Sequence, residues 1–480
     1  MIKLGRLIIF LLTGVFIFIG TAQAAPTEVG SVRSAYVDGR IRFVMDLNEL
    51  PSYREYQEAD RSRLVLELDN TINKTGSMQV SFNHPGLVDV TFREQEGKLQ
   101  AILAFKQRVN YKVIPLRNPA RIAVDVYFEF NQRVVTEVTP ELKYISVLRG
   151  DGQGSIEAHV LELDPNKRLS IKPILSNDIV YYVERVSAMA RNAGAVAAVN
   201  ASYFAPNGEI IGLLKISGQL VSTPTLSRTA IGVMPDSKFI MGEPVYNGYV
   251  ELSDGKRVEI AGVNRKRGTD ELIVYNNAYN DCTLTEASNG EGYECSVKDG
   301  KVVAVNTNNS LLPKETQVLS AHGKSRYMLK ALKVGDEVNI VHTLGDEWDK
   351  TVHAIGAGPR LLKNGDIYLT DRIEEFKGDV TCGRAPRTAL GIMPNGNLLL
   401  AVVDGRSVVS NGMTLLELAL FMQEMGARDA MNLDGGGSST MVLGDRILNK
   451  PSDGQERPQG SALAIVSGTL RELRGNPPER

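Results

Sequence analysis

Eight polar residues gather at apparent strand ends in the last third of the chain: Arg387, Asp404, Arg406, Asn432, Asp434, Ser438, Ser439 and Arg457. Asp404 and Asp434 are the carboxylates that proton transfer, or stabilisation of a cationic sugar carbon, would need. Arg387, Arg406 and Arg457 supply planar forks that suit phosphate oxygens. In "NLDGGGSS" (432–439) the glycines let a ligand approach the main chain, and successive amides there can form an anion-binding nest. Gly435 and Gly436 therefore join the candidate binding set, and Ser438 and Ser439 add hydroxyls. The combination suits a sugar-phosphate better than a plain sugar or a peptide. In "LLLAVVDGRS" (398–407) an apolar run stops at Asp404-Gly405-Arg406. Charges so close to a core strand must pair with one another or face a cleft.

Other chemistries lack their motifs. There is no GxxxxGK[ST], and "GGGSST" has no lysine for a nucleotide. "GDGQGS" (150–155) misses the third glycine of a dinucleotide loop, and neither HExxH nor G-x-S-x-G occurs. The five histidines are scattered, and Cys282, Cys295 and Cys382 show no metal-ligand spacing. An exported chain could bridge Cys282 and Cys295, which would leave Cys382 over; a structural role suits all three. The net charge of −2, without a basic stripe, gives no reason to expect nucleic acid.

Two helix–glycine–strand units position these residues. Helical spacing over 180–192 precedes Gly194 and the buried run ending at Asn200. A second helix over 413–426 precedes Gly426 and the run ending at Asn432, each landmark 232 residues beyond its counterpart. Thr414 with Glu417 three positions on reads as a capping box, so Glu417 is a cap rather than a catalytic acid. "SRTAIGVMPDSKFIM" (227–241) is echoed by "PRTALGIMPNGNLLL" (386–400), which points to internal pseudo-symmetry. Strand and turn signals over 245–350 mark a β-rich insertion.

Towards the N-terminus, Gly39, Tyr53 and Arg63 recur as Gly97, Tyr111 and Arg121, always 58 residues on. Alternating apolar residues (Ile41, Phe43, Met45, Leu47; Leu99, Ala101, Leu103, Phe105) predict a duplicated all-β module whose halves pack face to face. Before it, Lys3 and Arg6 precede a short apolar run and then Ala22-Gln23-Ala24, the pattern of a secretory signal cleaved after Ala24. No cysteine for lipid attachment lies there, and no later segment reads as a transmembrane span. The expected organisation is a signal peptide (1–24), the all-β module (25–130), a linker (131–148), a mixed α/β (α+β) domain (149–470) and a flexible tail (471–480).

Two resemblances follow from these stretches. Over about 27–130, the strand pattern and the endings "RLVLEL" and "RIAVDV" resemble the AMIN domain of exported bacterial envelope proteins. That implies attachment to a cell-wall or envelope polymer, and a periplasmic or envelope location. Over about 150–470, "VNASYF", "IGAGPRLL", "APRTALG", "VVDGRS", "DAMNLDGGGSSTMV" and "NKPSDGQERP" resemble, in this order, the phosphodiester glycosidase family. Family members often carry glycine where this chain has Ala201 and Ser202. The resemblance implies hydrolysis between a sugar anomeric carbon and a phosphodiester; no cofactor is expected, though a divalent cation stays possible. It places Asn200, Arg387, Asp404, Arg406, Asn432, Asp434, Ser438, Ser439 and Arg457 in the cleft. Two alternatives stay open: a silent glycan-binding protein, and a phosphodiesterase holding a hard divalent cation on Asp404, Asp434 and Asn432.

Overall fold

The structure, a computed structural model, describes residues 25–37, 40–58, 62–82, 86–151, 154–165, 168–224, 226–286 and 291–468. The signal peptide and the tail expected from sequence lie outside the described residues. Strands make up 49% of the chain and helices 9%, so the expected mixed α/β character gives way to a mostly β protein. Two compact units are present, the first drawn from residues up to Val126 and the second beginning in earnest at Tyr127.

The first unit contains two five-stranded sheets. Its repeat copies do not form one sheet each. Arg40–Leu47 of the first copy lies beside Arg121–Tyr127 of the second, and Arg63–Asp69 pairs with Lys98–Phe105. Each sheet therefore draws its centre from both copies. The alternation seen in sequence still sets the buried faces: Ile41, Phe43, Met45, Leu64, Leu66 and Leu68 are fully buried.

In the second unit an antiparallel eight-stranded sheet faces a five-stranded one across a shared core. Leu398–Val403 lies inside the larger sheet. Leu398, Leu400 and Val402 turn towards the shared core, while Leu399, Ala401 and Val403 turn towards Leu418, Phe421 and Met422 of the helix Leu415–Glu424. Burial on both faces explains the unbroken apolar run, each leucine and valine contributing roughly 1.5–3 kcal/mol relative to exposure. That helix begins with the capping box expected from Thr414 and Glu417. The helix Val186–Asn192 covers the outer face of the five-stranded sheet in the same way.

Several expectations need correcting. Residues 131–148 are not a linker but most of a hairpin, Phe130–Thr139 with Leu142–Asp151, at the edge of the large sheet. Leu142, Ile145 and Val147 enter the core, whereas the outer strand leaves Val134 and Val135 exposed and so hides its pattern. The two sequence echoes form like structures, but in different sheets. Their offsets differ, 232 residues for one and 159 for the other, so they share local form rather than one register of duplication. Between 247 and 343 the strands make a three-stranded and a five-stranded sheet.

All three cysteines are free, with Cys295 buried, so the bridge from Cys282 to Cys295 is not made. Burial pushes the Cys295 thiol up to about 12. Alkylation of the unreduced, unfolded chain is expected to label all three thiols; a single label would show the bridge.

Candidate active site

The site forms where the chain crosses between the two facing sheets. Asp429–Asn432 ends in the eight-stranded sheet, Met441–Leu443 begins in the five-stranded one, and the glycine turn spans the gap. Asn200, at the end of Ala197–Asn200, fastens this crossing. Its Nδ2 donates to the main-chain oxygen of Asp434 (2.6 Å), while its Oδ1 accepts from Thr388 Oγ1 (2.8 Å) and Thr440 N (3.1 Å). Asn432 does similar work on the other side, donating to Tyr203 Oη (3.0 Å) and to the carbonyl of Gly358 (3.2 Å).

Asp434 sits half-buried at the turn, its Oδ1 accepting from Gly435 N (2.9 Å). Burial raises its carboxyl to about 6, with nearby Asp379 pushing the same way. The Ser438 hydroxyl, the Gly435 amide and Arg457 oppose that rise, although Ser438 lies outside full hydrogen-bond geometry. Around the turn, Ser202 Oγ, Asn432 Oδ1, Ser438 Oγ, Ser439 Oγ and Thr440 Oγ1 are buried without a hydrogen-bond partner among the described residues. Buried polar atoms are normally satisfied, and so many orphans beside one turn mark a place built for polar ligand atoms.

The arginines divide by role. Arg406 is exposed, and its guanidinium lies over Gly436, where a Cβ would sit 3.1 Å from Nη2. With φ at +63°, Gly436 also suits no other residue well. Arg457 packs on Gly437 and pairs with Asp453 (2.7 Å). Arg387 is buried and donates only to main-chain carbonyls, those of Met413, Val380 and Gly383. Its fork ties the 377–383 loop to the sheet.

Asp404 is also buried. Its carboxylate accepts from Lys450 N (3.0 Å) and Asn449 Nδ2 (3.2 Å), with His159 Nε2 3.8 Å away. Asn449 in turn donates to Ser439 O (3.0 Å) and accepts from Met441 N (2.8 Å), so Asp404 reaches the turn through a neighbour. Among the described residues no group of three or more His, Cys, Asp or Glu side chains could hold a metal ion. A cavity of about 450 Å³ in the insertion, lined in part by Asn277, Asp299 and Asn339, contains none of these residues.

Four further participants are not among the expected site residues: Tyr203, Arg228 and Gly358, which stand within "VNASYF", "SRTAIG" and "IGAGPRLL", and Phe376, which stands in none of these stretches. Tyr203 Oη donates to the Gly358 carbonyl (3.1 Å), and burial together with Asp434 raises its pKa. At Gly358 φ is +83°, and a Cβ would meet Glu374 Oε2 at 2.1 Å.

The chain is similar to N-acetylglucosamine-1-phosphodiester alpha-N-acetylglucosaminidase of Bos taurus, 36% identical over 102 residues, 19% of each chain. It is 42% identical over 81 residues to an uncharacterized prophage-derived protein of Bacillus subtilis (strain 168), covering 17% of this chain and 12% of that one. The chain thus spans a fifth or less of the length of these curated relatives. A hypothetical protein from Synechocystis shares the fold over 92% of this chain and 80% of its own, at TM-score 0.65 and 19% identity. The segment bearing Asp434, the glycine turn and all three arginines first read from the sequence, residues 291–466, matches the family of phosphodiester glycosidases.

Proposed function

We propose that the second unit hydrolyses the bond between a sugar anomeric carbon and a phosphodiester, with N-acetylglucosamine as the favoured sugar. The observation that carries this reading is Asp434, with its raised pKa, beside a turn of amides and orphan hydroxyls under Arg406 and Arg457. The diester anion rests on Arg406, Arg457 and the turn. Ionised Asp434 takes a proton from water as the water oxygen bonds to the anomeric carbon. The carbon–oxygen bond to phosphate breaks, its electrons leave with the phosphomonoester, and a free sugar is released. Phosphate leaves readily, so the step makes little demand on a general acid. Asn200, Asn432, Asp404 and Arg387 hold the turn and its loops in place.

The sequence context extends this reading to an exported envelope protein. The leader pattern and the AMIN-like first unit favour an envelope glycopolymer or glycoconjugate as the substrate's source. Among the described residues no helix is long and apolar enough to cross a membrane.

The test is hydrolysis of N-acetylglucosamine 1-(methyl phosphate) in ¹⁸O-water. The label is expected on the anomeric hydroxyl of the sugar, with unlabelled methyl phosphate. Label in the phosphate would mean phosphorus–oxygen cleavage and a phosphodiesterase instead, and absence of turnover would remove the reading. Arg406→Ala is expected to raise KM about ten- to hundredfold, through loss of one charge-assisted contact worth roughly 1.5–3 kcal/mol.

A further inference from the structure

We infer that Tyr203, Phe376 and Arg228 form the wall that recognises the sugar, an inference resting on the function proposed above. The three planar groups adjoin one another. The rings of Tyr203 and Phe376 lie 5.6 Å apart at a 47° tilt, and the Arg228 guanidinium carbon sits 4.0 Å from the centre of the Phe376 ring. All three are half-buried, so the surface is partly dry yet open.

This wall is built rather than incidental. Glu374 is 2% exposed and accepts from Thr229 N (3.0 Å), Thr229 Oγ1 (2.6 Å), Arg360 N (3.1 Å) and the Thr370 hydroxyl. Its own carbonyl takes Arg228 Nε (3.2 Å). One buried carboxylate thereby fixes the strand start after Arg228, the Gly358–Arg360 turn and the loop bearing Phe376. From Gly358 the connection continues to Tyr203 Oη and Asn432, and so to the floor beside Asp434.

The chemistry of the wall differs from that of the turn. Arg406 and Arg457 already flank the amides that suit the phosphate, and a phosphate gains nothing from an aromatic face. A pyranose does: its C–H faces pack on aromatic rings while its hydroxyls accept from donors at the rim. Arg228 offers such donors, because its terminal nitrogens have no protein partner among the described residues while stacking holds them in place. Asp434 joins the two surfaces: its N donates to Ala201 O (3.1 Å), two residues before Tyr203, and its chain runs on into the glycines that lie under Arg406 and Arg457. That is where an anomeric carbon between sugar and phosphate belongs.

Competitive binding of the two product halves tests the division, with N-acetylglucosamine and methyl phosphate as probes and calorimetry on the full chain as readout. Phe376→Ala and Arg228→Ala are each expected to weaken N-acetylglucosamine about tenfold, or roughly 1.4 kcal/mol, and to leave methyl phosphate within about twofold. Phe376→Trp is expected to restore sugar binding. Arg228→Gln and Phe376→Leu serve if melting curves show that the alanine variants do not fold. The inference is overturned if the variants weaken methyl phosphate instead, if they change neither ligand, or if the wild type binds no N-acetylglucosamine. Wild-type protein that binds the sugar through this wall yet fails to hydrolyse the diester would overturn the proposed reaction and leave the wall standing.

Discussion

Asp434→Asn is expected to lower kcat/KM about a thousandfold, in the range found for positioned proton acceptors, while leaving the fold as stable as before or more so. The two effects share one cause. Burial raises the Asp434 carboxyl from the ordinary 3.8 to about 6, so ionisation in the folded state is costly. A group with a raised folded pKa stabilises the protein fully below its unfolded value and loses that contribution as pH rises through the folded one. The window here runs from 3.8 to about 6. At neutral pH the wild type bears a cost of at most about 3 kcal/mol, reduced by the partial exposure of the group, and the amide does not. The melting temperature of the variant at pH 7 should therefore match or exceed that of wild type, with the difference vanishing near pH 4. Activity should run the other way. Because the ionised carboxylate is the working form, wild-type kcat/KM should climb with pH and level off above about 6. That limb should be absent from the residual activity of Asp434→Asn. A profile that falls through the same pH would make Asp434 an acid and reverse its role.

How far the sequence reached can be judged from particular residues. Asn200 and Asn432 end buried strands and Asp434 follows one, and strand ends show in an apolar run that stops. The glycine turn is legible because three consecutive glycines suit neither a strand nor an α-helix. Arg387 shows the limit of such reading: its residue type suits phosphate, but its three carbonyl acceptors belong to Val380, Gly383 and Met413. No spacing rule reveals where a side chain points when its partners are scattered. The roles of Tyr203, Gly358 and Phe376 escape for the same reason, since they converge from three separate stretches of chain, although "VNASYF" and "IGAGPRLL" contain the first two. Arg228 stands in "SRTAIG" where Arg387 stands in "PRTALG". The fold divides likewise. Two-sided burial of 398–403 and the capped helix after it are local patterns, whereas the exchange of strands between the repeat copies depends on tertiary pairing that periodicity does not encode.

Asp404 is expected to behave unlike Asp434, although the sequence offers them as a pair. Asp404→Ala removes the acceptor for Lys450 N and Asn449 Nδ2 and leaves His159 Nε2, already unpartnered, without a nearby carboxylate. Stranding buried donors in this way should cost about 3 kcal/mol, and roughly 4 °C in melting temperature for a unit of this size. Activity should fall as well, because Asn449 loses the contact that steadies its hold on Ser439 and Met441. The route is indirect, so the pH limb near 6 should survive in whatever activity remains, as it belongs to Asp434. Asp404→Asn keeps an oxygen for Lys450 N and should recover part of both stability and rate. Were Asp404→Ala to melt with the wild type yet lose the limb, the assignment of that limb to Asp434 would fail. The turn would then need another explanation for the raised carboxyl of Asp434. The geometry favours the first outcome, because both oxygens of Asp404 accept from Lys450 N, a main-chain group whose position is fixed by the strand pair Met441–Leu443 and Arg446–Ile447 just before it.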